Sequence, residues 1–292
     1  FTHEDVNRDE NIFSPWFEGD IITARLFLKI ETDITAFVVS YGASDRLDVG
    51  IAIPMVHVDL DAQADATNQR IATSASAPNI HQFVNGTSNE TFRRSGSASG
   101  VGDVVLRGKF QILRGEQGGL SIAEDLRLPT GEERDLLGTG ATQAKTFVVG
   151  SLRLGGFSPH VNAGYTWSSN ASDETEIPDE ISYTAGFDWA VSPRMTLAAD
   201  VLGRVFLDSQ SIRVVETTFQ ANTNPGGPPN IVSATFPRLV AEQGDSNSIL
   251  GSVGLKINPF GNFLLTVNGL FRLNDEGLLD DFAPLVAVDY SF

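Results

Sequence analysis

From Val101 to Phe292 the chain repeats one pattern, in which apolar and polar residues alternate with a period of two through nine segments. These lie near 101–114, 118–129, 140–155, 157–169, 180–192, 194–209, 246–258, 262–274 and 281–292. A period of two sends alternate side chains to opposite faces of a strand, so each segment predicts a strand with one apolar face. In the last segment Phe282, Pro284, Val286, Val288, Tyr290 and Phe292 form the apolar set, against Ala287, Asp289 and Ser291. Likewise Val161, Ala163, Tyr165 and Trp167 oppose His160, Asn162 and Thr166, and Tyr183, Phe187 and Trp189 oppose Ser182, Thr184 and Asp188.

The connections fall into two classes. G-E-Q-G at 115–118, G-G at 155–156, S-P-R at 192–194 and P-F-G-N at 259–262 are short, whereas 130–139, 170–179, 210–245 and 274–280 are long. Upstream, Gly19–Tyr41 alternates as well and predicts two strands parted near Glu31–Asp33, with one long strand as the alternative. Leu47, Val49, Ile51 and Ile53 mark another strand, and Pro54, which has no N–H to pair, predicts a bulge there. Residues 61–100 lose the period and predict one long loop. The polar stretch 1–16 predicts an N-terminal arm, followed by a single all-β unit over 17–292 with long loops at about 61–100 and 210–245.

A soluble barrel fills its inside with apolar side chains. Here the polar face carries too many charges for a packed core, and its partner face is too uniformly apolar to be wet. The arrangement that satisfies both is a transmembrane antiparallel β-barrel of about 12 strands in a bacterial outer membrane, with short periplasmic turns and long extracellular loops. No apolar run approaches the roughly 18 residues that a membrane-spanning helix needs. Aromatics at strand ends (Phe157, Trp189, Phe260, Tyr290 and Phe292 on one side, Trp167, Tyr183 and Phe271 toward the other) fit interfacial girdles. Strict alternation puts Glu124 on the apolar face beside Ile122 and Leu126, which a bulge, a protomer interface or a different register would each explain.

The polar face would carry Arg25, Lys29, Arg107, Lys109, Arg127, Lys145, Arg153, Arg204, Lys256 and Arg272, with Asp48, Asp103, Asp125, Asp188, Asp200 and Asp289. Of these, Arg107, Lys109, Arg127, Lys145, Arg153, Asp188, Asp200, Arg204, Lys256 and Arg272 are the candidates for a lumen constriction. A basic constriction would favour anionic or polar solutes. Equally, Arg and Asp in a narrow interior would pair, because unpaired buried ions are costly, and would plug it. The formal net charge of -17 argues against a nucleic-acid partner, which needs basic clusters. Acidic runs at Asp173-Glu174-Thr175-Glu176 with Asp179-Glu180, at Glu132-Glu133 and at Asp280-Asp281 read as solvated loop charge.

Three passages carry a resemblance: Tyr41-G-A-S-D-R-L-D-V-G-I-A-I-Pro54; Gly102-D-V-V-L-R-G-K-Phe110; and Leu126-R-L-P-T-Gly131 followed by Leu137-G-T-G-A-T-Gln143. Together with His160-V-N-A-G-Tyr165 they resemble a family of outer-membrane, transporter-like components of the phenol meta-cleavage pathway. The resemblance implies a channel for small, often hydrophobic or aromatic molecules, working by passive diffusion. The alternative from a different class is a non-conducting structural or partner-binding barrel with a lumen plugged by salt bridges. The expected surroundings are outer-membrane lipid and lipopolysaccharide, with a small-molecule solute and room for an oligomer. The strand bearing Phe282, Val286, Val288, Tyr290 and Phe292 resembles those that the barrel-assembly machinery recognises in other outer-membrane proteins.

Neither enzymatic activity nor a cofactor is expected. Ser158 and His160 share a face, but such i,i+2 polar pairs arise on every strand of this kind and no third orienting group is assignable. His3, His57 and His81 show no metal-ligand spacing, and the P-T-G at 129–131 opens no helix that would make it a phosphate loop.

Overall fold

A computed structural model describes residues 2–3, 20–70, 82–171, 175–222, 227–275 and 281–291. The strands are β1 (Thr2–His3), β2 (Asp20–Gly42), β3 (Leu47–Arg70), β4 (Asn89–Val101), β5 (Val104–Gly115), β6 (Gly118–Leu128), β7 (Gln143–Leu152), β8 (Phe157–Ser168), β9 (Glu180–Ser192), β10 (Met195–Asn222), β11 (Ile231–Ile257), β12 (Phe263–Arg272) and β13 (Phe282–Tyr290). Among the described residues the only helical element is a single 3-10 turn at Glu133–Asp135. The strands join one sheet in the order β1-β2-β3-β5 and then consecutively to β13, with β4 pairing β3. Hairpin follows hairpin, through short turns such as 153–156 and 193–194 and long connections such as 129–142 and 169–179. At Gly155-Gly156 the first glycine has φ +66°, the left-handed conformation that the first position of a type II′ hairpin turn requires. Leu154 and Phe157 exchange backbone hydrogen bonds of 2.8 and 3.2 Å across it.

The residues separate into two compact units. The larger comprises Ile34–Val56, Ser99–Ser209 and Gln243–Phe292, the smaller Phe1–Asp33, His57–Ala98 and Gln210–Glu242. In the larger unit the alternation of the sequence becomes rows of neighbouring side chains, because residues directly opposite on paired strands share a face. One row runs Leu47, Phe110, Ile122, Val148, Ala163, Tyr183, Gly203 through seven strands. Up to Gly203, which is buried under the Tyr183 ring, it is apolar and exposed: Phe110, Ile122, Val148 and Tyr183 all present surface, and elsewhere on the same face Val161 is 58% and Trp189 52% exposed. No large apolar side chain among the described residues is fully buried, so these strands do not enclose a hydrophobic core. Near the short turns the apolar face ends in rings. Phe157 lies opposite Trp189 and 5.1 Å from Phe187, and Phe263 packs between Phe260 and Tyr290 at 5.4 and 6.1 Å.

The smaller unit is held by polar ladders. Thr67 Oγ1 donates to Asn89 Oδ1 at 2.9 Å, Thr91 Oγ1 to Asp65 Oδ1 at 2.8 Å, and Thr218 and Thr235 hydroxyls meet at 2.9 Å.

Several expectations change. Gly19–Tyr41 does not make two strands: β2 is unbroken, and Lys29 pairs with Glu31 at 2.8 Å on its exposed surface. The predicted loop 61–100 instead contributes 61–70 to β3 and 89–101 to β4, and 210–245 continues β10 and begins β11. At Pro54 the strand changes partner. β3 pairs β5 through Ala52, and the Pro54 carbonyl then accepts the Gly102 N–H at 2.8 Å, where β4 gives way to β5. Most of the arm at 1–16, and also His81, Asp173, Glu174, Asp280 and Phe292, lie outside the described residues.

Candidate functional site

The polar face of the larger unit is as orderly as the apolar one. One row reads Arg107, Asp125, Lys145, Thr166, Glu180, Phe206 from β5 to β10. The next reads Asp48, Lys109, Ala123, Phe147, Gly164, Ser182, Arg204. Arg107 holds Asp125 through two hydrogen bonds of 2.5 Å, the bidentate geometry in which guanidinium and carboxylate match best. Glu180, 7% exposed, accepts both Nε and Nη2 of Arg204 and lies 3.9 Å from Lys145 Nζ.

Three polar side-chain pairs reach across an intervening strand. His160 Nε2 on β8 lies 2.7 Å from Asp200 Oδ1 on β10, and between them on β9 stands Gly186, opposite both. Lys145 reaches Glu180 over Thr166. Lys256 on β11 reaches Asp188 on β9 at 2.8 Å, and the β10 residue opposite Asp188 is Ala198. Strands two apart are roughly 9.5 Å from each other, so these side chains meet across that gap only by leaning toward each other over a residue that leaves them room. Gly186 is required on that account. A Cβ there would stand 2.5 Å from the Ala199 carbonyl oxygen, with the Asp200 carboxylate in the way as well. Gly186→Ala is expected to cost about 1–3 kcal/mol and to part His160 from Asp200, read as a lowered urea midpoint of the folded protein.

These rows enclose a cavity of about 390 Å³. Its charged lining is Arg107, Arg127, Lys145 and Arg204 against Asp125 and Glu180. The Arg107 guanidinium and the Lys145 ammonium lie 5.4 and 5.8 Å from the centre of the Phe147 ring, within cation–π range. Gly164, opposite Phe147, leaves the ring its room.

Of the ten constriction candidates, four therefore line one cavity: Arg107, Arg127, Lys145 and Arg204. Asp188 with Lys256 and Asp200 with His160 form pairs on the same face outside its lining. Lys109 faces Asp48 at 3.4 Å. Arg153 sits in the exposed β7–β8 turn, its N–H bonded to Gln117 O, and Arg272 bonds Asp281 at 2.7 Å beside the β12–β13 connection. Neither reaches the cavity. Ser158 lies opposite Asp188, two residues from His160 on the same face, and it is Asp200 that holds His160 Nε2.

Two cavity residues escape a reading of the sequence alone. Glu180 belongs to an acidic run that reads as solvated loop charge, yet it opens β9 and is buried. Asp179 beside it is engaged too, accepting the Ser168 N–H at 2.8 Å and the Tyr165 hydroxyl. Phe147 hides in the apolar stretch Phe147-Val148-Val149. Counting in twos from Lys145, or back from Ser182, would have found both. Glu124 stands on the apolar face as alternation requires, opposite Gly108 and Thr146, and its carboxylate accepts the Thr146 hydroxyl at 2.5 Å. The register shift in this hairpin falls between Gln111 and Leu113, away from it.

Among the described residues no cluster of His, Asp and Glu could hold a metal ion, and no helix is long and apolar enough to cross a membrane. No curated protein matches the chain. A family model described as "Putative MetA-pathway of phenol degradation" matches residues 18–214, a span that takes in β2 to β9, most of β10 and every charged residue of the cavity lining. With about two thirds of its length matched, the chain belongs to that family, which is linked to phenol degradation.

Proposed function

We propose that the chain closes its sheet into an outer-membrane barrel and passes small organic molecules by passive diffusion along its polar face. One observation carries this reading: an exposed apolar row crosses six neighbouring strands of the sheet, and the opposite face of the same strands is charged and lines one cavity. An apolar surface of that extent needs a non-aqueous partner, and lipid outside with polar groups inside satisfies both faces. The family's link to phenol degradation supports a small organic solute over an ion or a macromolecule. Outer-membrane lipid, lipopolysaccharide and the barrel-assembly machinery are the surroundings this reading entails, and no catalytic role is assigned.

The ion pairs that meet across intervening strands favour one competing reading, a barrel plugged by its own side chains. Planar-bilayer recording of the purified protein separates the two. Discrete conductance steps are expected, with an ion selectivity that shifts when Arg107 and Arg204 are both changed to Gln. A closed record in the parent protein and in that double variant would establish the plug.

A further inference from the structure

The charges around the cavity do not balance. Among the described residues four cations line it against two carboxylates, an excess of two positive charges. The excess has an address. Arg107 is satisfied by Asp125, and Arg204 by Glu180. Among the described residues Arg127 has only the neutral amide oxygen of Gln143, at 3.2 Å, and Lys145 shares Glu180 at the long distance of 3.9 Å. Both lie on β6 and β7 toward the end where those strands meet the 129–142 connection.

The cavity changes character along its length. Two residues beyond Lys145 on β7 comes the Phe147 ring, and two beyond that the row of Asn162, Thr184 and Leu202. There the Asn162 amide oxygen is buried without a hydrogen-bond partner. A buried acceptor left unpaired is costly, so this end favours a hydroxyl or amide donor. The volume, about 390 Å³, falls in the range of roughly 300–1,000 Å³ common to small-molecule sites.

Resting on the reading of this face as a barrel interior, we infer that the cavity is a binding site for small organic carboxylates with a ring-sized apolar body and a hydroxyl at the far end. The carboxylate meets Arg127 and Lys145, the body lies against Phe147, and the hydroxyl donates to Asn162. The site therefore prefers the anion to a neutral phenol or alcohol of the same size.

Isothermal titration of the detergent-solubilised full chain tests this without requiring conduction. The probes are 4-hydroxybenzoate, benzoate, which lacks the hydroxyl, and 4-hydroxybenzyl alcohol, which lacks the charge. Charge-assisted hydrogen bonds predict that the acid binds about tenfold or more tighter than the alcohol, and one neutral hydrogen bond predicts about fivefold over benzoate. Arg127→Gln, a change outside every ion pair given above, and Lys145→Gln should each collapse the first ratio and leave the second. Asn162→Leu should do the reverse. Equal binding of acid and alcohol, or an acid preference that survives both cation changes, overturns the inference. Conductance with no carboxylate binding would leave the channel reading standing and remove this one, while binding with a closed record would do the opposite.

Discussion

On the barrel proposed above, Val286→Arg is expected to destabilise the folded protein in lipid vesicles by about 2–4 kcal/mol, the cost of a guanidinium on the lipid face of a membrane barrel near mid-depth. Val286 is 66% exposed on β13, opposite the equally apolar Val267 of β12, with Val288 and Tyr290 continuing the same face. The control lies one residue away. Leu285 points to the other face, opposite Asn268, and Leu285→Arg places the same charge where polar groups already stand, with an expected change of under about 1 kcal/mol. Reversible denaturant unfolding in vesicles, followed by tryptophan fluorescence, measures both. In water the expected order disappears, because an exposed valine exchanged for arginine on a wet surface costs almost nothing. Equal effects of the two changes would remove the lipid-facing assignment and with it the barrel.

What the sequence discloses depends on whether the two faces of a strand meet different surroundings. From Val101 onward they do, and counting in twos places Arg107, Asp125, Lys145 and Arg204 on one face and Phe110, Ile122, Val148 and Tyr183 on the other, as the register bears out. Even Glu124 obeys the count. In 89–100 polar and small residues dominate both faces, 61–67 alternates only alanine with Asp, Gln and Thr, and 210–222 spreads Ile212, Val214, Val215 and Phe219 over both faces, so none of the three shows one apolar face and the text reads as loop. The strands there are held by side-chain ladders such as Thr67 to Asn89 and Thr218 to Thr235, whose partners lie 22 and 17 residues apart and leave no local trace. The acidic group at Glu31–Asp33 misleads for a related reason: on an exposed strand surface a charge is solvated and need not interrupt pairing. Which polar-face residues share a cavity is a matter of register between strands, and alternation within one strand does not carry it. That is why Arg153 and Arg272 stand beside Arg107 as candidates in the sequence although one lies in a turn and the other at a strand end.

Asp103→Ala should release the β6–β7 connection. The Asp103 carboxylate, in a residue 8% exposed, accepts the Gly131 N–H at 3.1 Å, the Thr139 N–H at 2.8 Å and the Thr139 hydroxyl at 2.8 Å. Thr130 adds a second tie, donating to Gly102 O at 2.7 Å and accepting the Val104 N–H at 2.9 Å. The connection fits because Gly131 and Gly138 have no side chains. A Cβ on Gly131 would stand 2.6 Å from the Leu137 carbonyl, and one on Gly138 would run into the Asp103 carboxylate. Here the motifs Gly102-Asp103, Pro129-Thr130-Gly131 and Leu137-Gly138-Thr139 find their physical meaning: they are the sides of one latch, with Leu137 buried beneath it. Removing the carboxylate leaves buried N–H groups without acceptors, at about 2–4 kcal/mol in all. Asp103→Asn keeps one acceptor oxygen and should lose about half as much. Arg134, within the 3-10 turn of the same connection, provides a local readout. Proteolysis follows the population of the opened segment, so tryptic cleavage after Arg134 should quicken by roughly tenfold or more in Asp103→Ala, with Asp103→Asn between it and the parent. Cleavage at the parent rate in both variants would show that the loop is held by Thr130 and Leu137 alone, and the carboxylate would then be no latch.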